Sequence, residues 1–73
     1  MRKNFKYNIL LPKQKNYTDI ILWCDEVFGK RYDGVRNRDG NWMALWGGRE
    51  NFGHMRYSFC NEQDFIWFKL RWL

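Results

Sequence analysis

The sequence predicts an α+β fold: a two-layer sandwich in which a three- to four-stranded, mainly antiparallel sheet carries two helices on one face, in the order β-α-(β)-β-β-α. Three observations lead to it. Apolar and polar residues alternate near the N-terminus and again within residues 41–59, the period of two that a half-buried strand imposes. Two other segments, 16–29 and 61–73, repeat their apolar residues at helical spacing. Repeats, low-complexity tracts and linkers are absent from the sequence, so residues 1–73 form a single domain. A chain this short buries only about 60% of the surface its unfolded form exposes, and its core has to be dense. Aromatics supply that density: five Trp, four Tyr and six Phe make up 21% of the 73 residues, and each ring buries roughly 150–250 Å².

The first strand is set by Phe5, Tyr7, Ile9 and Leu11, which alternate with Lys6, Asn8 and Leu10, and Pro12 ends it because proline brings no ladder donor. In "NYTDIILWCDEVFG" Asn16 or Thr18 can cap a helix, Asp19 suits its positive end and Gly29 stops it. Ile20, Cys24, Val27 and Phe28, with Trp23 beside them, form the apolar stripe, while Asp25 and Glu26 face water. The segment "GKRYDGVRNRDG" is either a long loop or a short outer strand around Tyr32 to Arg36, turned back at Arg38-Asp39-Gly40. Asn41 to Trp46 is a strand broken by Gly47-Gly48, and "HMRYSFC" is its antiparallel neighbour, with Met55, Tyr57 and Phe59 on one face and His54, Arg56 and Ser58 on the other. At the C-terminus Asn61 and Asp64 approximate a capping box, and Glu62 adds charge to the first turn. Phe65, Phe68 and Trp72 then share a helical face; Lys69 interrupts it and "FKLRW" also alternates like a strand, but helix fits better.

The stretch "RNRDGNWMALWGG" sets two arginines before two tryptophans and allows two arrangements. If Met43 and Leu45 point into the core, Trp42 and Trp46 lie on the open sheet face beside His54, Arg56 and Ser58, where indoles flanked by arginine could stack on bases. If the tryptophans point inward, Met43 and Leu45 form an outer apolar patch that a partner protein or a second copy could cover. Burying two indoles removes more apolar area from water than burying Met and Leu, which favours the second. The sheet lacks the basic-Gly-aromatic-Gly-aromatic run of ribonucleoprotein domains.

Thirteen Lys and Arg against eight Asp and Glu give a net charge of +5, which biases encounters toward anionic partners. Lys30, Arg31, Arg36 and Arg38 lie in the basic segment, and arginine offers bidentate contacts to phosphates and carboxylates. Little points to catalysis. His54 is the only histidine, Cys24 sits on an apolar stripe as a small hydrophobe, and Cys60 precedes a helix start with nothing to mark it as reactive. A zinc site would have to join Cys24, Cys60, His54 and a carboxylate without any Cys-x-x-Cys pair. "FGKRYDG" has neither the upstream glycine nor the following Ser/Thr of a phosphate loop, and Asp33, Asp39 and Glu50 fall in turns. No enzyme, cofactor or metal site is expected. Two cysteines are too few for a secreted disulfide framework, and the N-terminal apolar run Ile9 to Leu11 is far below what an export signal or a membrane span needs. A cytoplasmic protein is expected.

The stretch "YSFCNEQDFIWFKLRW" resembles a C-terminal pattern of small, mostly uncharacterised accessory proteins of tailed bacteriophages, in which an aromatic strand, a polar Asn/Asp-Glu-x-Asp cap and a helix ending Phe-x-Leu-x-Trp follow one another. The matching residues are Tyr57, Phe59, Asn61, Glu62, Asp64, Phe68, Leu70 and Trp72, and "DIILWCDEVFG" is similar to the helix that often precedes them. The resemblance implies a virus-encoded protein that binds and redirects a host macromolecule in the bacterial cytoplasm without catalysis. The expected contacts with a host protein are Arg36, Arg38, Trp46 and Arg56, aromatic and arginine types that dominate interface hot spots. The alternative is nucleic-acid or nucleotide binding through Lys30, Arg31, Arg36, Arg38, His54 and Arg56. Self-association through the open sheet face is a third possibility.

Overall fold

The computed structural model describes residues 4–12, 17–33, 39–46 and 53–73. Strand β1 (Tyr7–Pro12) leads to helix α1 (Tyr17–Phe28), strands β2 (Trp42–Trp46) and β3 (His54–Phe59) follow, and helix α2 (Glu62–Trp72) closes the chain. This is the α+β sandwich that the alternating and helical periods predict: one antiparallel sheet in the order β1-β3-β2, with β3 central. Tyr7 and Trp42 pair with Phe59 from either side, and Ile9 and Ala44 likewise flank Tyr57. These rows make the inner face. In β1 Tyr7, Ile9 and Leu11 are half-buried against the core while Asn8, Leu10 and Pro12 are exposed, as the alternation requires.

The tryptophan question resolves at β2. Trp42 is fully buried and Ala44 nearly so, which leaves Met43 half-buried and Leu45 exposed on the other face. The outward arrangement of Trp42 is thereby overturned, for the reason of area given above and for a second one. The Trp42 indole Nε1–H donates to the Gly29 carbonyl at 2.8 Å, so the ring enters the interior with its polar atom satisfied.

That carbonyl is where α1 ends. Gly29 has φ +83°, a left-handed conformation that residues with a Cβ rarely adopt, and its N–H donates to the Asp25 carbonyl at 3.2 Å. The chain then runs along the free side of β2, where the Tyr32 N–H donates to the Trp42 carbonyl at 2.8 Å and Asp33 forms a single bridge. Gly40 lies against this segment so closely that a Cβ would fall on the Lys30 carbonyl oxygen, with the Arg31 carbonyl carbon and the Tyr32 nitrogen each 2.7 Å away. An outer edge is therefore present at Tyr32 and Asp33, whereas the expected continuation to Arg36 and the turn at Arg38 lie outside the described residues.

Around Phe59 the core is a set of rings. Phe28, Phe65 and Phe68 lie 5.5, 5.9 and 5.2 Å from it between centroids, and Phe68 meets Tyr57 at 5.0 Å. Tilted and edge-on pairs of this kind contribute about 0.5–1.5 kcal/mol each beyond their area. Ile20 and Cys24 of α1 are buried with them, but Val27 is 37% exposed and does not belong to the stripe. Trp23 and Phe28, in edge contact at 5.3 Å, fill that side of the helix with longer side chains than a valine offers. Thr18 lies within the first turn of α1 rather than at its cap, and Asn16 is outside the described residues.

Helix α2 continues to Trp72, so residues 68–72 are helix, not strand. Lys69 is accommodated because its Nζ sits 4.7 Å from the Phe65 ring centroid, a cation–π contact that lets an ammonium border an aromatic face. The capping box does not form: Asn61 is extended, φ −107° and ψ 133°, and makes no side-chain cap hydrogen bond. Its Nδ2 donates instead to the Asp64 carboxylate at 3.3 Å, because aspartate at that position is shorter than the glutamate a reciprocal box uses.

Candidate interaction surface

Both helices pack on the inner face, and the opposite face of the sheet presents its rows outward. At the centre Arg56 pairs with Leu10 on one side and Leu45 on the other, and all three are exposed. In the next row Ser58 lies between Asn8 and Met43. Ser58 was expected to be solvent-facing with His54 and Arg56, yet it is 1% exposed. Its short side chain sits low in the central strand beneath longer neighbours, and its hydroxyl donates to Asn8 Oδ1 at 2.5 Å. His54 pairs with Pro12 at the sheet end, half-buried, with no hydrogen bond to its buried Nδ1 among the described residues.

Beside β2, Arg31, Tyr32 and Asp33 together with Met43, Ala44 and Leu45 line an open cleft of about 400 Å³. Arg31 is exposed there, and the exposed Lys30 lies beside it at the turn out of α1, where both border a separate hollow with Asp25 and Gly29. The surface thus joins aliphatic side chains to guanidinium groups without any indole from Trp42. Of the residues anticipated from sequence, the structure gathers Arg56, Arg31 and Lys30 around the outer face and the β2 edge. Arg36 and Arg38 lie outside the described residues, as does the side chain of Trp46, whose backbone closes β2 opposite Met55.

A second hollow of about 490 Å³ separates the helices, lined by Asp19, Leu22, Trp23, Glu26, Arg71 and Trp72. Trp23 and Trp72 meet edge to face at 6.1 Å, and the Arg71 guanidinium lies 4.2 Å from the Trp72 ring centroid.

The interior groups that can ionise are held neutral. Burial, with a smaller contribution from Asp25, pushes the Cys24 thiol up to about 12; burial, then Cys24, pushes the Tyr57 phenol up to about 12. A thiol so protonated is a poor nucleophile at neutral pH. Among the described residues no three His, Cys, Asp or Glu side chains come together as a metal site, and no helix is long and apolar enough to cross a membrane.

The sequence reasoning missed one surface. Ile66, Trp67 and Leu70 of α2, with Leu73 at its C-cap, are 43, 54, 80 and 71% exposed, on the side of the helix opposite Phe65, Phe68 and Trp72. The spacing of residues 66, 70 and 73 carried the signal, since a helix that is apolar on two sides needs a second contact. Comparison with models of known protein families, with curated proteins and with solved structures found no match. The class is therefore defined by the fold and its surfaces alone: a small aromatic-core α+β domain whose sheet carries an exposed arginine on the face opposite the helices.

Proposed function

We propose that this chain is a non-catalytic binding module of the phage accessory type that engages a host protein through the open face of its sheet. The observation that carries this reading is the exposed row Leu10, Arg56 and Leu45, an arginine framed by aliphatic side chains at the middle of the sheet face opposite the helices. Interfaces favour such a centre, in which apolar flanks exclude water around a guanidinium that forms directed, bidentate bonds. Arg31 and Lys30 at the margin, and the net charge of +5, favour a partner surface rich in carboxylates.

Base stacking on the sheet is less well supported, because the Trp42 ring is buried and its N–H engaged by Gly29. Cys24, protonated and enclosed, likewise offers no reactive group to a substrate.

The test is affinity capture from bacterial lysate with wild type, Arg56→Glu and Leu45→Glu, each with and without nuclease. Specific proteins retained after nuclease and lost in both variants support the reading. Loss of every partner after nuclease, with binding that falls log-linearly with salt, would transfer the function to nucleic acid.

A further inference from the structure

Helix α2 is buried on one side and apolar on the other. Ile66, Leu70 and Leu73 recur at i, i+4 and i+7, the spacing of a helix–helix seam, with Trp67 alongside. None of them is needed for the core, which Phe68 already fills from the opposite side with Phe65 and Trp72 beside it. Leu22 of α1, 61% exposed, borders the same region next to Arg71.

The charges along this seam are arranged by end. Glu62 and Asp64 occupy the first turn of α2, and Lys69 and Arg71 the last. Glu62 and Lys69 are seven residues apart and so lie on one edge of the seam; Asp64 and Arg71 share the other edge in the same way.

We propose that two copies of this chain associate through α2 as an antiparallel, two-fold symmetric pair. A two-fold axis between Ile66 and Trp67 sets Glu62 against Lys69 of the second copy along one edge and Asp64 against Arg71 of the second copy along the other. Both pairs occur twice by symmetry. The seam closes Ile66 and Trp67 against their counterparts, with Leu70 packing toward Ile66 of the second copy, and the two helix dipoles oppose. A parallel pair would place the acidic ends together and the basic ends together. A membrane surface would accept the apolar stripe but not the acidic first turn. Few apolar side chains meet, so the contact falls at or below the roughly 1,200 Å² low end of specific interfaces, which makes the dimer weak and reversible. The surface is separate from the open sheet face, so dimerisation and host-protein capture stand or fall independently.

Sedimentation equilibrium of the full chain from about 1 to 500 μM reads this directly. Wild type should pass from monomer to dimer, and Leu70→Glu, at an exposed position where folding is unaffected, should weaken association about tenfold or more. Two charge variants address the geometry: E62K/D64K leaves only basic residues along the two edges of α2 itself, and K69E/R71E only acidic ones. Each alone should remain monomeric, and an equimolar mixture should restore a dimer, with circular dichroism confirming that each is folded. A wild type that stays monomeric throughout overturns the proposal, as does a dimer that persists unchanged in Leu70→Glu, or a mixture that does not associate. Tryptophan fluorescence with anionic and neutral phospholipid vesicles separates the membrane outcome. A blue shift lost in Leu70→Glu, from a chain that sediments as monomer, would assign the stripe to lipid instead. Arg56→Glu should leave the dimer intact.

Discussion

Replacing Trp42 by phenylalanine isolates the contact on which the orientation of the sheet depends. The ring is fully buried in β2, and its Nε1–H donates to the Gly29 carbonyl at 2.8 Å, joining the sheet to the end of α1. Phenylalanine retains an aromatic ring but removes that donor, and because the acceptor belongs to the exposed Gly29 the loss is that of an ordinary hydrogen bond, about 0.5–1.5 kcal/mol. It also leaves a void on the order of 40 Å³, which at roughly 24 cal/mol per Å³ adds about 1 kcal/mol. The expected loss is therefore about 1.5–2.5 kcal/mol. A domain of this length has a total stability of roughly 4–11 kcal/mol, so the variant should fold, with a Tm lower by about 6–20 °C. Urea unfolding followed by far-ultraviolet circular dichroism measures the loss without relying on the deleted fluorophore. A loss under about 0.5 kcal/mol, typical of a surface substitution, would refute the inward placement of the indole and restore the sheet face as a stacking platform. Trp42→Ala should cost about 3–5 kcal/mol and leave the chain at the edge of folding.

Gly40→Ala should destabilise by more than about 2 kcal/mol, measured by the same urea titration, because the added methyl meets the Lys30 carbonyl and the adjoining backbone rather than a movable side chain. The contribution of Cys24 and Tyr57 to stability should be level below pH 9 and fall from there toward pH 12. Both Cys24 and Tyr57 have folded-state pKa values raised to about 12, from 9.0 and 10.0, so the unfolded chain releases their protons first as pH rises. Cys24→Ala should remove the onset near pH 9, which thermal melts across that range would register. Arg56→Glu should change stability by less than about 0.5 kcal/mol, since the side chain is exposed, so any loss of partner capture reports on the surface itself.

Legibility followed the range of the interactions. The alternation in β1, the period of α1 and α2, and the inward set Met55, Tyr57 and Phe59 depend on neighbours two to four residues away and were readable directly. Arg56 could be assigned to the outward set by parity alone. Ser58 could not be assigned its burial, because that depends on Asn8, fifty positions earlier. Nor could Val27 be separated from the stripe, since the space it would fill is taken by Trp23 and Phe28. The outer seam of α2 was written in the spacing of Ile66, Leu70 and Leu73, but a helix with apolar residues on two sides does not declare which one the rest of the chain will cover.

The amino-acid sequence determined the class of fold, the order of its elements, the dense aromatic interior and the positive charge, all of which follow from composition and local period. Tertiary structure decided which way Trp42 faces, why glycine stands at position 40, and which side of α2 remains open. These depend on segments brought together from across the chain: a carbonyl at the end of α1 receiving an indole from β2, backbone at residues 30–32 lying on residue 40, and two rings of one α2 face, Phe65 and Phe68, meeting Phe59 while Ile66, Trp67, Leu70 and Leu73 are left to water. No local pattern encodes such meetings, because their energy exists only once the distant surfaces touch.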